Sequence, residues 1–111
     1  MLNYETAETL YTEMKRRAAE KNQGSFGDFY KMFLKSAVEY ANTRASWGHM
    51  TQEERNEDDK ARRIRHDGMI SMLTAVCRNL GIDDLEELLP DRKTKGDFAC
   101  YIALFLGLEQ R

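Results

Sequence analysis

The sequence predicts an all-α fold: a single-domain helical bundle of about five helices, four long and one short. Apolar residues recur at three- and four-residue steps along almost the whole chain, and no segment alternates apolar and polar residues over more than a few positions. The 111 residues are a typical length for one domain, here residues 1–111. Apolar residues make up 41% of the chain, which is enough for a packed core.

Capping signals locate the first two helices. Asn3 is a good N-cap for the first helix, and the segment 22–24, which contains a glycine, is expected to end that helix. Ser25 is followed three residues later by Asp28, which predicts a capping box at the start of the second helix. Gly48 is placed to terminate the second helix.

The third helix is predicted to be unusually long. Thr51 and Glu54 form a regular capping-box pattern, and Gly81 is placed to stop the helix after Leu80. Residues 52–80 would span about 43 Å at 1.5 Å per residue. Gly68 could break this helix, but the apolar positions before and after it keep one phase, so we expect a continuous helix. The glycine could also let another helix approach closely.

Two further helices complete the predicted bundle. The acidic stretch 83–86 is typical of a helix start and opens a short helix that Pro90 closes. Thr94 is expected to start the last helix and Gly107 to end it. From 98 to 106 this helix is apolar on every side, which is typical of a helix central in the core or shared with a second copy of the chain.

Composition and charge exclude several classes of protein. A net charge of −2 argues against a disordered polyelectrolyte and against a surface that grips nucleic acid on all sides. The longest apolar run, 98–106, is far short of the ~20 residues that cross a bilayer. No secretory signal is visible, so we expect a cytoplasmic protein with no membrane partner. Cys77 and Cys100 fall in apolar helical stretches and are expected to be buried, inert thiols.

Charged residues cluster in the first half of the third helix. Five acids within 53–59 precede a basic run over 60–65, and favourable i,i+4 pairs are expected between Asp58 and Arg62 and between Asp59 and Arg63. Arg65 falls in the middle of the apolar stripe. We expect its side chain to protrude past the core or to pair with a carboxylate, while contact with a partner molecule is the alternative.

Four side chains are candidates for binding a partner: Trp47, Arg62, Arg65 and His66. Trp47 lies at a helix end, where it is either the edge of the core or a contact aromatic. His66 precedes Asp67, a pair that metal-dependent phosphohydrolases also use. The helical neighbours of His66 include arginines, which disfavour a bound cation, so a surface or partly buried histidine is expected. No nucleophilic triad and no phosphate-binding glycine loop is present, so neither an enzyme nor a cofactor is predicted.

Several stretches of the chain resemble a family of small uncharacterised proteins carried by conjugative-transposon-like elements of gut clostridia and relatives. The resemblance rests on the opening MLNYETAETLY, the ending PDRKTKGDFACYIALFLGLEQR, and the motifs EDDK and HD between them. It implies a mobile-element setting in a bacterial cytoplasm and a role beside DNA transfer, regulation or defence. The family brings no catalytic residues with it.

These observations favour a non-enzymatic helical interaction or accessory protein of a mobile element, binding a second copy of itself as a homodimer or another protein. The alternative is a nucleic-acid-binding accessory protein that uses the basic run 60–65, with Arg92, Lys93 and Lys95 as further contacts. Because the nearby acids lie within about a Debye length, we expect such binding to be weak at physiological salt. A metal-dependent hydrolase built on His66 and Asp67 is the third possibility.

Overall fold

Five helices and no strand make up the part of the chain that the computed structural model describes, residues 2–21 and 24–110. The predicted all-α class, with four long helices and one short one, is confirmed. No helix within these residues has the length and apolarity that a membrane crossing requires. The helices are α1 (Tyr4–Glu20), α2 (Ser25–Trp47), α3 (Gln52–Leu80), α4 (Leu85–Leu88) and α5 (Arg92–Glu109).

The four long helices pack around one continuous apolar core. Helix α2 makes the most extensive contacts, with α3 on one side and α5 on the other, and α1 contacts both α5 and α3. The molecule measures 46 × 32 × 29 Å, and α3 alone spans about 43 Å of the longest dimension. The large side chains that are fully buried come from all four helices and the segment before α5: Met14, Phe33, Met69, Leu73, Leu89, Phe98 and Ile102.

The predicted signals at three helix ends are confirmed. Asn3 Oδ1 accepts a hydrogen bond from the Thr6 amide at 2.8 Å and so caps α1. Thr51 and Glu54 form the reciprocal capping box of α3. Gly81 ends α3 in the left-handed conformation, at φ 73°, which a side chain would make costly. Helix α3 passes through position 68 without a break.

The predicted start of α2 is wrong in its chemistry. Ser25 is already inside the helix and forms no capping box, because the N-cap is Gly24, which has no side chain to accept a hydrogen bond. The φ of 60° and ψ of −136° at Gly24 are a backbone conformation that glycine adopts readily. Helix α1 ends at Glu20, just before the predicted stop, and Asn22 and Gln23 of that stop lie outside the described residues.

Both predicted ends of α5 need correction. The helix begins at Arg92, because Asp91 is the N-cap and accepts a hydrogen bond from the Thr94 amide at 2.8 Å. Thr94 is the second member of a capping box, because its hydroxyl oxygen accepts a hydrogen bond from the Asp91 amide at 3.2 Å. At the other end the helix continues through Gly107 to Glu109.

The segment 98–106 of α5 is apolar all round, but only one side of it lies in the core. Phe98, Ile102 and Phe105 are buried against the other helices. On another side of the helix Leu104 and Leu108 are 47% and 46% exposed. The described chain therefore covers only part of the apolar surface of this helix.

The close approach between helices occurs at Gly96, and the expectation for Gly68 is wrong. A Cβ at position 68 would meet no atom of the described chain within 4 Å. A Cβ at position 96 would lie 3.0 Å from the Tyr40 hydroxyl oxygen and 3.1 Å from Cε2 of the same ring. Tyr40 is only 4% exposed, so its ring has little room to withdraw. Glycine at 96 thus lets α5 pack directly on α2.

These two glycines should respond in opposite ways to alanine. Gly96→Ala gains helix propensity but overpacks the contact with Tyr40, so we expect a net loss of about 1 kcal/mol in the free energy of unfolding. Gly68→Ala gains propensity without a clash and should stabilise by roughly 0.5–1 kcal/mol. Urea unfolding followed by circular dichroism measures both. Stabilisation by Gly96→Ala as large as that by Gly68→Ala would contradict the close packing.

Candidate functional site: a basic cleft between α3 and α5

A cleft of about 540 Å³ lies where the middle of α3 meets the first turn of α5. We call it the basic cleft, because four of its six lining residues are cationic. It unites two basic segments that are about 30 positions apart in the sequence, and two of the predicted site residues, Arg62 and His66, line it. The lining residues are Arg62, Arg63, His66, Asp67, Arg92 and Lys93.

His66 joins three helices at the inner end of the cleft. Its Nε2 lies 3.1 Å from the carbonyl oxygen of Arg92. A carbonyl only accepts, so this nitrogen carries the hydrogen and donates it. Nδ1 then accepts from Nη2 of the Arg92 guanidinium at 3.3 Å. The Tyr40 ring of α2 stacks on the imidazole with ring centroids 4.4 Å apart. At 7% exposure His66 is more deeply buried than the sequence predicted.

The surroundings of His66 favour its neutral form. Burial is the largest influence and lowers the pKa of the imidazole below its ordinary 6.5, and the Arg92 charge lowers the pKa further. The hydrogen bond to the Arg92 carbonyl and the Asp67 carboxylate act in the opposite direction without reversing the shift. Burial likewise raises the pKa of the stacked Tyr40 phenol. The junction is therefore held by two uncharged rings.

The Arg92 side chain also pairs with Asp67 across the mouth of the cleft, with Nη1 to Oδ1 at 2.5 Å. Both side chains are more than half exposed, so solvent screens this ion pair and it adds little to stability. Arg92 contributes to structure mainly through its backbone carbonyl. Its guanidinium bonds to the buried His66 ring through Nη2, so only the exposed Nη1 contact with Asp67 can change partner while the junction stays intact.

Trp47 does not line the cleft but packs against one of its lining residues, Arg62. The Arg62 guanidinium lies over the indole at 4.7 Å from the ring centroid, and the Arg55 guanidinium lies 5.8 Å from the same centroid. Arg55 Nε also donates to the Trp47 carbonyl at 3.1 Å. The half-buried indole agrees with the core-edge interpretation of Trp47 and ties the end of α2 to α3.

The predicted ion pair of Asp59 with Arg63 is confirmed, but Asp59 is also shared with Arg62. Asp59 contacts both Arg62, at 3.3 Å, and Arg63, at 3.0 Å. The expected pair of Asp58 with Arg62 is wrong, because Asp58 lies 3.8 Å from Arg65 instead. One carboxylate is thus shared by two cleft arginines. Arg62 Nε is buried and has no hydrogen-bond partner among the described residues.

Arg65 does not belong to the cleft. Its side chain is 42% exposed, and Nη1 donates to the Thr43 hydroxyl of α2 at 3.4 Å. With the Asp58 contact, this confirms the expected protruding and paired arrangement. Of the four predicted site residues, Trp47, Arg62 and His66 therefore lie together, and Arg65 lies apart from them.

Lys95 is wrong as a nucleic-acid contact because the fold buries it to 6% exposure. Its ammonium donates to the Leu89 carbonyl at 2.8 Å and to Glu86 Oε2 at 3.1 Å. These bonds anchor the segment between α4 and α5. Lys95 is thus a structural residue, whereas its neighbour Lys93 remains 66% exposed and lines the cleft.

The two cysteines differ in burial. Cys77 is buried as predicted, and burial raises the pKa of its thiol to about 12. Cys100 is only partly buried, contrary to the prediction, and burial again raises the pKa of its thiol. Both shifts favour the unreactive thiol over the thiolate.

The described residues contain no group of three or more His, Cys, Asp or Glu side chains that could hold a metal ion. In addition, both His66 nitrogens bond to Arg92, and Asp67 faces the Arg92 guanidinium. The donors that a metal-dependent hydrolase would need are therefore engaged by a cation.

Comparison with protein-family models, with curated proteins and with solved structures gives no significant match. The family resemblance noted from the sequence thus stays a prediction. The candidate site rests on the geometry of the chain itself.

Sequence reasoning missed the central role of Arg92 and the contribution of Tyr40. Arg92 was predicted only as a secondary basic residue, and Tyr40 was not singled out at all. No local pattern marks either, because their contacts with His66 span 26 positions each way along the chain. The one available signal was His66 itself. A histidine on the buried face of a helix, with no hydrogen-bond partner on that helix, needs a partner from elsewhere in the chain.

The lowered pKa of His66 predicts that acid destabilises the protein. The unfolded chain protonates this histidine near pH 6.5, whereas the folded chain resists protonation until a lower pH. The stabilising effect is complete above pH 6.5 and is lost as the pH falls through the folded pKa, at up to about 1.4 kcal/mol per pH unit. Urea unfolding between pH 7.5 and 5 measures this slope.

The variant His66→Gln should remove the slope that His66 causes. His49→Gln changes the other histidine, which lies exposed between α2 and α3, and is the matched control that should retain the slope. Equal slopes in wild type and His66→Gln would show that the buried imidazole does not control the acid response.

Proposed function

We propose that the chain is a non-enzymatic helical interaction protein that acts as a homodimer through the outer side of α5. The observation that carries this proposal is a row of large apolar side chains, three of them exposed to solvent and the fourth, Tyr101, partly buried. We call this row the α5 face. It consists of Tyr4, Tyr101, Leu104 and Leu108.

The α5 face is continuous. Tyr101, Leu104 and Leu108 follow one another at three- and four-residue steps, so they lie on one side of the helix. The ring of Tyr4 extends the row from α1, since it packs edge-on against Tyr101 at 6.0 Å and against Phe105 at 5.4 Å. Contiguous exposed apolar surface of this kind is typical of interaction sites.

The exposed area supports a second copy as the occupant. The chain exposes 7036 Å², whereas a compact monomer of this mass exposes about 6300 Å². The difference of about 700 Å² is close to the ~800 Å² that one partner buries in a standard interface. The charged first half of α3 contributes to this excess of exposed area, but its charged side chains are well solvated and need no partner. Three of the five large apolar side chains that are most exposed, Tyr4, Leu104 and Leu108, lie at the α5 face.

Two-fold symmetry suits this surface. An antiparallel pair of α5 helices would bring Leu104 of one copy against Tyr101 of the other, so that apolar side chains meet on both sides of the axis. Glu109 lies at the border of the α5 face. It forms an ion pair with Lys15 at 2.8 Å and accepts a hydrogen bond from the Tyr11 hydroxyl at 3.1 Å. A polar rim around an apolar centre is the usual composition of such interfaces.

The biological setting in this proposal comes from the sequence resemblance alone. It places the homodimer in a bacterial cytoplasm, on a mobile element, as an accessory to DNA transfer, regulation or defence. Pairing of the chain would then present two copies of any further binding site on one particle.

A charge placed in the α5 face should separate the dimer. The double variant Leu104→Glu/Leu108→Glu would bury carboxylates without partners in the interface, so we expect a monomer. Sedimentation velocity from 1 to 100 micromolar, roughly the range in which weak dimers dissociate, is the measurement. Wild type should approach twice the 12.9 kDa chain mass.

The matched control is Met32→Glu/Ile64→Glu, which changes two apolar side chains that are even more exposed, at 55% and 62%, and lie on α2 and α3. This variant should remain a dimer. A wild-type chain that sediments at 12.9 kDa at every concentration would overturn the proposal.

A further inference from the structure

We infer that the basic cleft binds the phosphate group of a small phosphorylated molecule, with Arg62, Arg63, Arg92 and Lys93 as its donors. This site is independent of the α5 face and does not rest on dimer formation. The lining of the cleft carries a net positive charge, because it has four cations and a single carboxylate, Asp67. The one histidine in the lining is held neutral.

The cations exceed the carboxylates even when residues outside the lining are included. Asp59 is shared by two arginines, and Asp97 is shared by Lys93, at 3.8 Å, and Arg44, at 2.6 Å. The whole network therefore has five cations and three carboxylates. An incoming anion of charge near −2 would balance it.

The ion pairs that now occupy the donors are easily replaced. Arg92 and Asp67 are 57% and 62% exposed, and Arg63 is 68% exposed, so solvent screens these contacts. Guanidinium groups bind phosphate through two parallel hydrogen bonds, which Asp67 in its observed contact does not provide to Arg92. A phosphate offers more acceptor oxygens and more charge than the carboxylate that it displaces.

The frame of the cleft is rigid, which favours a specific site over loose surface charge. The Arg92 backbone is held by His66, and Arg62 is held by the Trp47 indole. A donor group that is already positioned loses less entropy when it binds a ligand. The side chains that must turn toward the phosphate, Arg63 and Lys93, lie at the exposed edge.

A small molecule fits this cleft better than a nucleic acid. Its volume of about 540 Å³ is within the usual range for small-molecule sites. A nucleic acid would need a longer basic track, but Arg65 lies outside the cleft and Lys95 is buried. The exposed acids at the start of α3 would also repel a long phosphate backbone.

Isothermal titration with pyrophosphate, at constant ionic strength, tests the site. We expect saturable binding to wild type, a loss of about tenfold in affinity for Arg63→Gln/Lys93→Gln, and a several-fold gain for Asp67→Asn, which removes the only carboxylate in the lining. The matched control is Lys60→Gln/Arg65→Gln, which also deletes two positive charges from α3 but outside the lining of the cleft, and should change affinity by less than about twofold.

Two further readouts locate the ligand and identify its class. The ring resonances of His66 should shift on titration with pyrophosphate, while those of exposed His49 should not. A twelve-residue single-stranded oligonucleotide, titrated in parallel, should bind no more tightly than pyrophosphate. Circular dichroism of each variant checks that its fold is intact.

Three outcomes would overturn the inference. The first is no saturation by pyrophosphate at millimolar concentration. The second is an equal loss of affinity in Lys60→Gln/Arg65→Gln and Arg63→Gln/Lys93→Gln, which would indicate general charge attraction. The third is oligonucleotide binding at least about a hundredfold tighter than pyrophosphate and lost in the same double variant, which would assign the cleft to nucleic acid.

Discussion

The packing of α2, α3 and α5 depends on one neutral imidazole. His66 donates from Nε2 to a backbone carbonyl at the start of α5, accepts at Nδ1 from a guanidinium, and stacks on Tyr40 of α2. Only the neutral ring can both donate and accept. A protonated imidazole carries a hydrogen on each nitrogen, and the hydrogen on Nδ1 would point at the Arg92 guanidinium, which is itself a donor. Buried polar groups contribute to a unique arrangement when all their bonds are made, and here both nitrogens are satisfied.

The same junction explains the charge distribution at the surface. In the sequence, each basic run follows a run of acids, so that the positive and negative charges of neighbouring segments largely cancel. The fold changes these pairings, since Asp58 reaches Arg65 on one side of α3 while Asp59 is divided between Arg62 and Arg63 on the other. By fixing the start of α5 against α3, the His66 contact brings the second basic run beside the first. A core interaction thereby produces a surface of one dominant sign.

Local signals in the sequence were sufficient for most of the fold. The caps at Asn3, Thr51 and Gly81 act within one turn of chain, so their chemistry is readable without any tertiary structure. The predicted start of α2 was wrong because two local signals compete there. Ser25 has a side chain that could cap the helix, but the neighbouring Gly24 takes the N-cap position. The site was predictable in part, because Trp47, Arg62 and His66 were identified from position alone. Their common partner Arg92 was not, since only the three-dimensional packing brings residues 66 and 92 together.

The contact between Gly96 and Tyr40 constrains how this sequence can change over time. A larger residue at 96 meets the phenol ring, and a smaller residue at 40 removes the ring that covers His66. Neither position can therefore change freely while the other stays as it is. Tyr40 and Gly96 should behave as a coupled pair among any descendants of this chain.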